Sequence, residues 1–112
     1  LGHSVYGNSW ESFCIENIIA NLRPEVRFYF YRTSNGAEID LILENGTTKV
    51  AVEFKVSTAP KIERGFWIST GELNISRAWI ISPIEELYKN KNVYISALEL
   101  FLKHPDNQDI FY

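Results

Sequence analysis

Between Arg27 and Val56 the chain alternates apolar and polar residues in three runs, Arg27–Thr33, Glu38–Glu44 and Thr48–Val56. The runs are divided by Ser34-Asn35-Gly36-Ala37 and by Asn45-Gly46. Alternation with a period of two predicts strands, and turn residues over so few positions leave the chain no room to do anything but double back, so two successive hairpins are expected. Ahead of them, Asn8 and Ser9 offer N-cap oxygens to a helical pattern running to about Leu22, where Pro24 marks the end. Behind them, a second helix is expected near Lys61–Leu73, weakened by Gly65 and Gly71, then a short apolar strand at Ala78–Ser82. A polar helical or loop segment around Glu85–Asn90, a strand at Val93–Ser96 and a helix at Ala97–Lys103 complete the pattern. The predicted fold class is α/β: α-β-β-β-α-β with additions, a mixed central sheet flanked by helices. Residues Leu1 to Gly7 and the tail from His104 read as loosely held ends.

With 112 residues, 46% hydrophobic and 22% charged, the chain has the composition of one globular domain, spanning 1–112. It contains no Met, so Leu1 reads as the start of a piece taken from a longer protein. No apolar run approaches the roughly 18 residues of a membrane helix, and no signal peptide is evident, so a soluble cytoplasmic domain with no membrane partner is expected. The single cysteine, Cys14, falls in the apolar helical pattern and reads as a core thiol rather than a nucleophile. A net charge of −3 and a pI near 5.4 provide no basic field for nonspecific nucleic-acid binding. They do not exclude a hydrolase, because carboxylates are what hold a divalent cation.

The first helix carries two glutamates that helical geometry separates. At about 100° per residue, Ile15, Ile18 and Leu22 project within roughly 40° of Glu11, so Glu11 points into apolar surface. Glu16 shares its wedge with Ser9, Ser12 and Arg23, about 140° away, and reads as solvated. A carboxylate directed inward needs a cation or hydrogen-bond donors, so Glu11 implies a polar partner within the fold; an ion pair with an arginine such as Arg32 is the plain alternative.

On the third strand Val50, Val52, Phe54 and Val56 alternate with Lys49, Ala51, Glu53 and Lys55, so Glu53 and Lys55 project together. On the second, Ile39, Leu41 and Leu43 alternate with Glu38, Asp40, Ile42 and Glu44. Asp is depleted in strand interiors, so Asp40 needs a reason. If the Asn45-Gly46 hairpin brings the apolar faces together, Asp40 and Glu53 lie on one side of the sheet, where they repel unless a cation holds them. A Glu-x-Lys pair taken alone would be unremarkable on a solvated strand face.

An inward Glu11, then Arg32-Thr-Ser-Asn-Gly36-Ala-Glu38-Ile-Asp40, then Val52-Glu53-Phe54-Lys55 after a hairpin, resembles the PD-(D/E)XK, restriction-endonuclease-like superfamily. More narrowly, the chain from about Gly7 to Leu102 resembles a domain of unknown function that follows the nucleotide-binding module in bacterial and archaeal AAA-type ATPases. The resemblance implies that Asp40 and Glu53 ligate Mg²⁺ or Mn²⁺, that Lys55 contacts the attacking water or the phosphate, and that Glu11 supports the metal, so that all four form a catalytic set. Ile39 stands where the motif has proline, which leaves the metal chemistry possible.

The remaining motifs narrow the choice. His3 and His104 lie near the ends without zinc spacing and read as surface residues. No G-x-x-x-x-G-K-[ST] loop exists, so this piece does not hydrolyse ATP and its ATPase module would lie elsewhere in the full-length chain. The Phe28–Tyr31 run reads as strand packing rather than a base-stacking platform, and Lys61 and Arg64 have no assigned role. Two functions are expected to compete: a metal-dependent nuclease acting on DNA or another nucleic acid, and a non-catalytic module that recognises DNA or protein for the ATPase.

Overall fold

The computed structural model describes residues 5–112. Helix α1 spans Val5–Ala20; strands β1 (Arg27–Arg32), β2 (Glu38–Asn45) and β3 (Thr48–Phe54) follow, then α2 (Arg64–Glu72), β4 (Arg77–Ile81), β5 (Leu87–Asn90), β6 (Val93–Ser96) and α3 (Leu98–Lys103). The strands form one mixed sheet in the order β1-β2-β3-β4-β6-β5. The meander β1-β2-β3 is antiparallel, β3 to β4 and β4 to β6 are parallel, and β5 returns antiparallel to β6.

Both expected hairpins form. Gly46, at φ +61°, takes the first central position of the two-residue loop between Asn45 and Thr48, where a type II′ turn requires positive φ. Between β1 and β2, Thr33 donates its N–H to Ala37 O at 2.8 Å. After β3, α2 carries the chain over one sheet face so that β4 can lie parallel beside β3, since parallel neighbours need such a crossover.

The sheet separates two cores. Cys14 and Ile18 of α1 and Phe101 of α3 pack with Leu41, Leu43, Val50, Val52, Phe54, Trp79 and Ile81. Phe66 of α2 packs with Ile39, Ile42, Ala51, Ala78, Ile80, Val93 and Ile95 on the other side. Central strands β3 and β4 are buried on both faces, and each Val, Leu or Ile placed there contributes roughly 1.5–3 kcal/mol. The result is a compact α/β fold with a radius of gyration of 13.2 Å. Among the described residues no helix is long and apolar enough to cross a membrane.

Four expectations are corrected. Helix α1 includes Val5 to Gly7 and begins ahead of Asn8 and Ser9, which lie inside it rather than capping it, and it ends at Ala20 rather than Leu22; residues 1–4 fall outside the described residues. The Glu85–Asn90 segment supplies edge strand β5, whose three last residues are exposed, so no apolar alternation betrays it. The tail from His104 is tied down: a 3-10 turn at Pro105–Asn107 leads to fully buried Ile110 and nearly buried Phe111, and Leu22 bridges Phe111. Asn107, itself buried, donates to Phe101 O at 2.9 Å and accepts from Arg77 Nε at 3.1 Å. Finally, the faces of β2 do not alternate strictly. Tyr29 and Tyr31 of β1 oppose Ile42 and Ile39, so β2 carries one extra residue there, a bulge that turns Ile39 to the same side as Ile42.

Candidate metal and phosphate site

The bulge falls at Asp40 and Leu41, and it is where the β2–β3 ladder gives way. Backbone pairing runs from Asn45 opposite Thr48 to Leu41 opposite Val52. One step further, side chains take over: Asp40 donates its N–H to Glu53 Oε1 at 3.3 Å, and Phe54 donates its N–H to Asp40 Oδ2 at 2.9 Å. The two carboxylates thus cross-brace the strands, each accepting from the opposite backbone. Beyond these backbone bonds the two side chains also hydrogen-bond to each other, so the acids form one coupled pair.

Lys55 lies two residues after Glu53 on the same strand path, held by its N–H to Ile81 O at 2.9 Å. Its Nζ is 3.7 Å from Glu63 Oε2, just ahead of α2. Glu38, Asp40, Glu53, Lys55 and Ser57 line one recess. A neighbouring recess is lined by Glu11, Ile15, Phe30, Arg32, Glu38 and Asp40. Asp40, Glu53 and Lys55 are therefore brought together, and Glu11 lines the adjoining recess, with Asp40 and Glu38 bordering both. Arg32 donates to Glu38 Oε2 at 3.0 Å, and with side chains 79% and 50% exposed this pair is worth little to stability.

The electrostatics are those of crowded acids. Burial first, then the charge of Asp40, pushes the Glu53 carboxyl up to about 8, against the bonds and the Lys55 charge that favour ionisation. Asp40 is also raised, first by burial, although the Phe54 N–H works against it. Two acids that resist joint ionisation invite a compensating cation. The donor set suits a hard ion: Mg²⁺ takes oxygen ligands, keeps several waters and is usually held by one or two carboxylates. Among the described residues no group of three His, Cys, Asp or Glu is placed to hold a metal, so a cation here would rest on Asp40 and Glu53, and a four-ligand zinc centre does not fit.

The other singled-out residues sort as follows. Glu16 is exposed. Cys14 is fully buried, and burial, followed by the charge of Glu11, pushes its thiol up to about 12, which makes it inert. His104 departs from the surface expectation: its ring lies 5.1 Å from Trp79 and 5.0 Å from Tyr94, and its Nδ1 accepts from Asp106 N. His3 falls outside the described residues. Lys61 and Arg64 are exposed. Sequence reasoning missed Glu63 as the partner of Lys55 and Glu38 as the acid shared by both recesses. Glu63 had no signal, being one of many polar residues ahead of a helix; the alternation of β2 had already placed Glu38 beside Asp40.

A family model for the domain of unknown function DUF4143 matches residues 6–101. Two relatives, both named as uncharacterized proteins, one from Mycobacterium bovis and one from Mycobacterium tuberculosis, are each 33% identical over 91 residues. The match covers 81% of this chain and only 20% of each relative, so the chain spans about a fifth of the length of the proteins it resembles. No solved structure matches.

Proposed function

This chain belongs to the DUF4143 family, and we propose that it is a Mg²⁺- or Mn²⁺-dependent nuclease-like domain with a restriction-endonuclease-type core. The observation that carries the reading is the cross-braced, crowded pair Asp40 and Glu53 in one recess with Lys55. Asp40 and Glu53 would hold the cation. When bound, it would supply positive charge for hydrolysis of a phosphodiester. Lys55 would stabilise negative charge developing on the phosphate, with Glu63 keeping its ammonium at the rim. Glu11 would act on this site through the recess it shares with Asp40.

In the full-length protein the domain would serve an AAA-type ATPase module in the same chain. The chain's fifth-length match to its relatives leaves ample room for such a module. The net charge of −3 favours a second reading, a non-catalytic module that recognises DNA or a partner protein.

Metal and cleavage assays separate the two. Calorimetry with Mn²⁺ should show binding that falls by roughly tenfold or more in Asp40→Asn, and DNA or RNA should be cut only with Mg²⁺ or Mn²⁺ and only by the unsubstituted chain. Neither metal binding nor cleavage, from the chain alone or joined to its ATPase module, would leave the module reading standing.

A further inference from the structure

We infer that β1 presents a stacking platform for unpaired bases beside the candidate site, so that the nucleic acid it takes is single-stranded. This deepens the nuclease reading and rests on it for the chemistry, though not for the binding. The run Arg27-Phe28-Tyr29-Phe30-Tyr31-Arg32 is expected to pack, and only half of it does. Tyr29 and Tyr31 join the core on the α2 side. Phe28 and Phe30 alternate onto the opposite face and are left 44% and 65% exposed. β1 is an edge strand, and among the described residues no neighbouring strand lies beyond it.

Three observations select the occupant. Phe30 lines the same recess as Glu11, Arg32 and Asp40, so a base resting on its ring would set the adjoining phosphates beside the acidic pair. Arg32 shares the face of the two rings and lines that recess, where it pairs with Glu38 at 3.0 Å and can exchange that exposed partner for a phosphate. Residues two apart on a strand stand roughly 6.8 Å from each other, twice the roughly 3.4 Å between stacked bases of a duplex strand; only an unstacked strand can lay successive bases on both rings. Stacking on the rings tolerates any sequence, because every base has a π-face.

Binding is read apart from cleavage by fluorescence anisotropy of labelled single-stranded DNA, using the whole chain with Asp40→Asn in every sample. Phe30→Leu, which keeps an apolar surface residue but removes the ring face, should weaken binding about tenfold. Phe30→Tyr should restore it. The matching duplex should bind more weakly than the single strand, and affinity should fall as salt rises, as it does wherever phosphates are engaged. Circular dichroism checks that each variant folds. The inference is overturned if no single strand binds, if Phe30→Leu binds as well as its parent, if duplex binds as tightly, or if the substitution instead dissolves self-association in sedimentation velocity, which would make the face a protein contact. Phe30-dependent binding without cleavage by the unsubstituted chain would sink the nuclease reading alone; cleavage indifferent to Phe30 would sink the platform alone.

Discussion

The β2–β3 pair has two ends that obey different rules. At the turn end, from Asn45 opposite Thr48 to Leu41 opposite Val52, the backbone ladder is regular, and Leu41, Leu43, Val50 and Val52 are fully buried. At the open end the ladder stops, a bulge intervenes, and two half-buried carboxylates replace carbonyls as acceptors. The first end is what a hairpin does for stability. The second end crowds two acids where their joint ionisation is costly, which is the environment expected of a functional site.

Deleting buried volume at the closed end should have the largest effect. Leu43→Ala, at a fully buried position in the α1-side core, should lower unfolding free energy by about 2–5 kcal/mol in urea titrations. A loss below about 1 kcal/mol would mean that the hairpin's closed half does not anchor the sheet.

The open end should respond to pH. Glu53 holds its proton to about 8 in the fold, against an ordinary glutamate value of 4.5, so between those values the folded state binds more protons than the unfolded chain. Its stabilising contribution is complete below about 4.5 and is lost as pH rises through about 8, by an amount on the order of a few kcal/mol. Thermal melts of cation-free protein should therefore fall across that window, Glu53→Gln should flatten the fall, and Mn²⁺ should offset it in the unsubstituted chain by binding the folded state. Melts that are flat from pH 5 to pH 8 (about the window just given) would show that the acids are not in conflict.

The smallest effect belongs to the turn itself. A Cβ on Gly46 meets nothing within 4 Å, so Gly46→Ala tests only the φ of +61°. It should cost about 1–2 kcal/mol and leave cation affinity unchanged, read by urea titration and calorimetry. A drop in affinity would show that the turn sets the spacing of the far end.

Much of this was legible before any coordinates. Alternation between Arg27 and Val56 announced the meander, because each strand turns a face into a core, β1 toward α2 and β2 and β3 toward α1 as well, and a buried face demands apolar side chains. The nearness of Glu11 to Ile15 and of Glu53 to Lys55 followed from helical and strand periods alone. The β5 edge was not legible, since a strand exposed on nearly every residue carries no alternation. Nor was the tail, where Ile110 and Phe111 are too few to form a period and are buried only because Leu22 and the α3 helix are waiting for them. The Phe28–Tyr31 run misled because exposed and packed aromatics look alike in sequence.

Local patterns, then, determined which residues become strands and helices, and which polar side chains fall among apolar ones, because those outcomes depend on neighbours a few positions away. Tertiary structure alone decided that β2 bulges at Asp40, that Asp40 and Glu53 brace each other's strand, and that Glu63 meets Lys55. The Asp40 contacts join residues 13 and 14 positions apart through a sheet register, and a register is fixed by the packing of both faces at once.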